Sequence, residues 1–201
     1  MYLLIAIILL ILLSLLFYKF IFLRNPERKI PSGKNIVSPA DGRVILIQKF
    51  SNKEIKINKG FVGKIKTLTS DIADKGYIVS IFMNLFNVHV NRSPINGKII
   101  SLKHTKGKFY NAADIEKSLL NEKNELIIEN KELKIKVIQI AGLVARRIIC
   151  FKKENEKINK GERIGIVKLG SQVTLILPKK INLKVKKGDN VKAGSSIIAT
   201  Y

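Results

Sequence analysis

The chain opens on an unbroken apolar run and then changes character. Residues 2–18 carry no charge, Lys19 interrupts, and residues 20–23 resume the apolar pattern. Twenty-two residues at ~1.5 Å each give about 33 Å, enough to cross a ~30 Å hydrocarbon core, with Lys19 near one end to snorkel. A cleaved signal peptide would begin with positive charge and end on small residues. Here no basic side chain precedes the run, and Phe17, Tyr18, Phe20 and Phe22 crowd its end. The pattern therefore predicts a retained membrane helix over 1–23. Arg24, Arg28, Lys29 and Lys34 follow it, so the flank places the N-terminus outside and the body on the cytoplasmic side. A basic linker over 24–37 leads to one domain over 38–201.

Beyond the linker, short apolar runs alternate with turn signals. Strands are predicted at 44–47, 77–83, 98–102, 125–129, 133–140, 148–151, 164–167 and 173–177, with turns at Asp41-Gly42, Asn96-Gly97, Lys160-Gly161 and Gly188-Asp189. Leu133-Lys134-Ile135-Lys136-Val137 alternates as a half-buried strand does. One helix is expected over 112–121. The fold class is mostly β: a single barrel- or sandwich-like domain plus one transmembrane helix. Residues 185–194 repeat a hydrophobic-Gly-Asp-Val-Gly cadence that looks like half of a lipoyl/biotinyl-type barrel. Ser38-Pro39-Ala40-Asp41-Gly42 is echoed by Ser93-Pro94-Ile95-Asn96-Gly97, each a turn feeding a strand.

Composition narrows the partners. The 201 residues hold 37 Lys+Arg against 15 Asp+Glu, a net charge of +22. Only seven of the basic residues are Arg and there is no Trp, so neither guanidinium forks nor a base-stacking platform stand out. An anionic membrane surface fits better than nucleic acid, on a Lys-rich background. One cysteine, Cys150, excludes an internal disulfide framework, and two histidines argue against a metal site.

Three segments carry candidate chemistry. Alone, Asp41-Gly42 is a turn, His89 between Val88 and Val90 is a structural histidine, and Gly170-Ser171 is a strand irregularity. Together they resemble the phosphatidylserine decarboxylase family in its short, membrane-anchored form. The likeness runs through Phe22-Leu23-Arg24-Asn25-Pro26-Glu27-Arg28, Ser38 to Gly42, Asn87-Val88-His89-Val90-Asn91-Arg92-Ser93-Pro94, Gly161-Glu162-Arg163-Ile164-Gly165 and Leu169-Gly170-Ser171. Asn25 and Asn87 stand where Asp is expected, and Leu169 where Phe is usual.

The resemblance implies self-cleavage between Gly170 and Ser171 into chains 1–170 and 171–201. It carries Ser171 to the nucleophile, His89 to its base and Asp41 to the orienter of His89. Those residue types suit the task, because an imidazole must take the proton of a weakly nucleophilic hydroxyl and a carboxylate fixes its tautomer. The new terminus of the smaller chain would be a pyruvoyl group derived from Ser171. Its ketone would capture the serine amine of a phospholipid and act as an electron sink for CO2 loss, giving phosphatidylethanolamine without a metal. The implied partners are the membrane, a serine-headgroup lipid and the two halves of the precursor; a homo-oligomer is compatible with the resemblance. Arg92 and Arg163 are candidates for the lipid phosphate or carboxylate, against the plainer reading of structural ion pairs. Arg146 and Arg147 face a membrane or solvent, and His104 reads as a loop residue. Two alternatives stay open: a non-catalytic, membrane-anchored lipoyl/biotinyl-like adaptor, and the same decarboxylation on an archaeal ether lipid.

Overall fold

The computed structural model describes residues 1–51, 69–108, 110–142, 147–167 and 171–201. The apolar N-terminus is a helix, α1 (Tyr2–Leu16), that continues as a π-helical turn over Phe17–Phe22. Together they make one helix of 21 residues with mean hydropathy 2.8, long and apolar enough to cross a membrane. No residue of α1 is buried, whereas Phe22, at the end of the π turn, is fully covered by the body.

The body is built from short strands, β1 (Asn35–Val37), β2 (Gly42–Ser51), β3 (Lys75–Met83), β4 (Val90–Arg92), β5 (Gly97–Thr105), β6 (Lys123–Glu129) and β7 (Lys134–Ile140). After them come β8 (Ile148–Cys150), β9 (Lys157–Ile158), β10 (Arg163–Val167), β11 (Ser171–Pro178), β12 (Asn182–Leu183), β13 (Asn190–Val191) and β14 (Ile197–Thr200). Eight of them form one antiparallel sheet in the order β13-β2-β3-β11-β7-β6-β5-β9. Two three-stranded sheets, β1-β14-β12 and β4-β10-β8, complete the domain. All eight strand positions expected from the sequence are occupied by strands.

Side chains alternate across each strand. On β11, Val173, Leu175 and Leu177 enter the main core with Val79, Ile81 and Val137, while Ile176 joins Ile78, Ile138, Ile140 and Phe50 on the other face. At β7 and β11, in the middle of the large sheet, both faces are thus covered, which corrects the half-buried reading of 133–137. Lys136 is 2% exposed, and its Nζ lies 2.5 Å from Asp71 and 3.4 Å from Glu125. Two carboxylates let a lysine occupy a covered position that alternation assigns to solvent.

The helix expected over 112–121 shrinks to one turn, α2 (Ile115–Ser118), capped where Asp114 accepts a hydrogen bond from the Lys117 amide at 3.1 Å. Asn121 is drawn out of helical geometry instead, because its side-chain amide donates to the carbonyls of Tyr110 and Ala141, both at 2.8 Å. Asp41-Gly42 closes no hairpin: Gly42 is the first residue of β2. A Cβ there would stand 2.1 Å from the Phe82 carbonyl oxygen, so the approach of β2 to β3 requires glycine.

Candidate active site

The strand pairing brings the motif segments to one end of the large sheet. Ser171 begins β11 opposite Met83, the last residue of β3. The chain then turns through residues 84–89 into β4, which pairs with β10 in the register Ile166 to Val90. The Val167 amide donates to the His89 carbonyl at 3.3 Å. Val167 precedes Ser171 by four residues, so their Cα atoms are no more than about 14 Å apart. Gly170 and Leu169, between them, lie outside the described residues, as does Arg146.

His89 is fully buried. Its Nδ1 is 2.8 Å from the Asn87 carbonyl oxygen. A carbonyl only accepts, so Nδ1 carries the proton and Nε2 holds the free lone pair. That Nε2 has no hydrogen-bond partner among the described residues, and neither does the buried Oγ of Ser171. Burial pushes the imidazole down to about 4; the Asn87 hydrogen bond opposes the fall and the charge of Arg24 adds to it. A neutral base and a hydroxyl are thus both buried and unengaged among the described residues, not yet bonded to each other, and a proton transfer needs them to come within hydrogen-bond reach.

One face of the imidazole is closed by the end of the N-terminal helix. The Phe22 ring lies 4.2 Å from the His89 ring, tilted by 40°, and Tyr18 stacks behind Phe22 at 5.5 Å. Arg24 donates to the Ile21 carbonyl at 2.5 Å and to the carbonyl of Phe86.

Asp41 is brought near this end of the molecule but not onto the imidazole. Its Oδ2 pairs with Arg28 at 2.8 Å and its Oδ1 accepts from the Ala193 amide at 2.8 Å. It ties the linker to the C-terminal tail, and the partner of His89 Nδ1 is a backbone carbonyl. Arg92, 6% exposed, donates to Gly161 O at 2.9 Å, Pro26 O at 3.0 Å and Asn25 Oδ1 at 3.2 Å. Arg163 pairs with Glu27 at 2.5 Å. The linker is therefore stapled to the body by three arginines, Arg28, Arg92 and Arg163. His104 lies 3.6 Å from Glu122, and Arg147 lines a surface cavity beside it.

Sequence reasoning missed Phe22, Arg28 and the Asn87 carbonyl. Uniform hydrophobicity hides which face of a helix meets protein, and a backbone acceptor leaves no signature in residue type. Among the described residues no group of three His, Cys, Asp or Glu could hold a metal.

Comparison with known proteins agrees with this arrangement. The family model described as phosphatidylserine decarboxylase matches residues 15–199. A protein of Methanocaldococcus jannaschii named putative archaetidylserine decarboxylase proenzyme is 43% identical over 92% of this chain and 91% of its own length. Phosphatidylserine decarboxylase proenzymes of Chlorobium phaeobacteroides and Rickettsia bellii are 40% and 43% identical, over 94% and 90% of this chain and 81% and 73% of their own. With that match spanning the linker, the His89 segment and the Ser171 strand, the chain belongs to the phosphatidylserine decarboxylase family and is a decarboxylase proenzyme.

Proposed function

We propose that the chain cuts itself between Gly170 and Ser171 and then decarboxylates phosphatidylserine to phosphatidylethanolamine and CO2 at a pyruvoyl group made from Ser171. The observation that carries this reading is that His89 Nε2 and Ser171 Oγ are both buried and, among the described residues, without a hydrogen-bond partner, with Ser171 opposite the end of β3 from which the chain turns to His89.

His89 Nε2 takes the Ser171 hydroxyl proton as Oγ attacks the Gly170 carbonyl carbon. His89 passes that proton to the leaving nitrogen as the peptide C–N bond breaks, so an ester joins Gly170 to the Ser171 side chain, the amine of residue 171 is set free and Nε2 regains its lone pair. Loss of the Cα proton then expels the Gly170 carboxylate from Cβ and leaves dehydroalanine. Water adds, ammonia departs, and a ketone remains. That ketone, held at the start of β11 and conjugated to the next amide, would supply a carbonyl for the substrate amine and an electron sink for loss of CO2. Around it, His89 retains a lone pair at Nε2 and Asn87 holds its tautomer. Asp41, expected to orient His89, enters here as the group that fixes the linker, and with it Phe22, against the imidazole. Arg92 and Arg163 would reach an anionic headgroup only by exchanging their present partners.

The cut leaves the halves associated. β11 lies between β3 and β7, and β14 pairs with β1 and β12, so chain 171–201 contributes strands to two sheets. The body belongs on the cytoplasmic side of the membrane, in keeping with the basic flank of the helix. The name of the Methanocaldococcus relative supports the alternative that the same decarboxylation acts on an archaeal ether lipid with a serine headgroup, since the reacting atoms are shared.

Intact mass under denaturing conditions tests the first step. The expected result is two chains, 1–170 and 171–201, the smaller blocked by a pyruvoyl group, with Ser171→Ala remaining one chain. A single uncut chain that releases CO2 from defined serine lipids would overturn the proposal. Assays with ester and ether lipids distinguish the substrates.

A further inference from the structure

The turn between β3 and β4 carries two large apolar side chains on the outside of the protein. Leu85 is 42% and Phe86 66% exposed. The turn is braced: Asn87 Oδ1 accepts from the Asn84 amide at 2.8 Å, and Asn84 Oδ1 accepts from the Phe86 amide at 2.9 Å. Such a turn presents its tip rigidly, and a rigid apolar tip in water has no counterpart that stabilises it.

Its position relative to the N-terminal helix supplies one. The Phe86 ring meets the Phe17 ring edge-on, with centroids 5.8 Å apart. Phe17 lies five residues before Phe22, about 7 Å along the helix axis at ~1.5 Å per residue. A helix of 21 residues is about 31 Å long, matching a ~30 Å hydrocarbon core, so Phe22 marks one boundary and Phe17 lies inside it. Phe86 is level with Phe17. Polar groups at this level are provided for, because Arg24 donates to the carbonyls of Ile21 and Phe86.

We infer that the Leu85–Phe86 tip inserts into the lipid bilayer beside the N-terminal helix and seats His89 at the hydrocarbon boundary, so that a lipid is processed with its acyl chains still in the membrane. The inference rests on the reading of that helix as membrane-spanning. Immersion of ~5–10 Å is the depth at which interfacial apolar groups bind. Through its contact with Phe22, His89 lies at the same level, within reach of a headgroup and beyond the reach of the acyl chains.

The chain has no tryptophan, so one introduced indole reports alone. Phe86→Trp and, separately, Leu85→Trp are placed in the full-length protein and reconstituted into phosphatidylglycerol vesicles. Part of the lipid is brominated near the headgroup end of its acyl chains. Tyr77→Trp, at the far end of β3 and about 20 Å from Met83, is the comparison. The expected result is blue-shifted emission and at least about twofold bromine quenching at both tip positions, with little at Tyr77. Vesicle-bound protein whose tip indoles quench no more than the Tyr77→Trp indole would overturn the inference and leave the anchor intact. A blue shift without quenching would overturn it too, assigning the tip to a protein contact. Protein that fails to float with vesicles would remove the anchor and the inference together. None of these readouts depends on cleavage or decarboxylation.

Discussion

Replacing Phe22 by alanine should change the acidity of a residue 67 positions away. The His89 imidazole is held at about 4, against an ordinary 6.5. That difference of 2.5 units corresponds to about 3 kcal/mol between the neutral and charged forms. Burial is its largest cause, and the Phe22 ring at 4.2 Å covers one face. Phe22→Ala admits water to that face, and we expect His89 to rise by about one unit or more, whereas Phe22→Leu keeps most of the cover. Phe→Ala at a fully buried position also costs ~3–5 kcal/mol of stability, so the leucine variant guards against unfolding. The assay is an NMR titration of histidine-labelled Ser171→Ala precursor. Only His89 and His104 contribute, and His104→Gln assigns them. Because the folded value lies below the unfolded one, the neutral His89 contributes fully to stability above pH 6.5. That contribution shrinks as pH falls toward 4, by up to about 3 kcal/mol. A wild-type His89 titrating near 6.5, or one that Phe22→Ala leaves unmoved, would refute the assignment of the shift to burial under the helix end.

Three further outcomes follow from the packing. Arg92→Lys should lower stability by ~2–4 kcal/mol in thermal denaturation, because an ammonium cannot span three acceptors set for a guanidinium fork. Arg28→Met should cost about 3 kcal/mol by stranding the Asp41 carboxylate, and Asp41→Asn in the same chain should restore at least about 1 kcal/mol; a double-mutant cycle with no coupling would show that the pair is not formed. Gly42→Ala should cost more than about 2 kcal/mol and increase hydrogen exchange along β2 and β3, since the added methyl collides with Phe82 O.

The six long strands of the large sheet, β2, β3, β5, β6, β7 and β11, were readable in sequence because each buries a run of apolar residues between turn signals. The short strands β1, β4, β9, β12, β13 and β14 were not. Two to four residues carry no period, and their extended form is imposed by partners far along the chain, such as Thr200 opposite Asn35. Ser171 and His89 stood out through motif spacing, and the fold puts them at neighbouring strand ends. What orients His89 was not legible: Asn87 acts through its main chain, and side-chain identity says nothing of that. Charge counting likewise treated Arg24 and Arg28 as a loose basic flank, whereas one ties down carbonyls at the helix end and the other pairs with Asp41. Lys136 shows the converse, a charge that pattern puts in water and two carboxylates hold inside.

The central place of β11 has a consequence for timing. Residues 171–201 have no core of their own: their apolar side chains are covered only once β3 and β7 flank β11 and β1 receives β14. A precursor severed before those pairings form would shed a peptide too short to find its way back. The proposed nucleophile, Ser171, is however the first residue of that same strand, and its proposed base, His89, follows the turn that leaves β3 opposite it. Under the proposed self-cleavage, competence to cut would be acquired in the same event that makes the cut harmless, and maturation would serve as a test of folding that a misassembled chain does not pass.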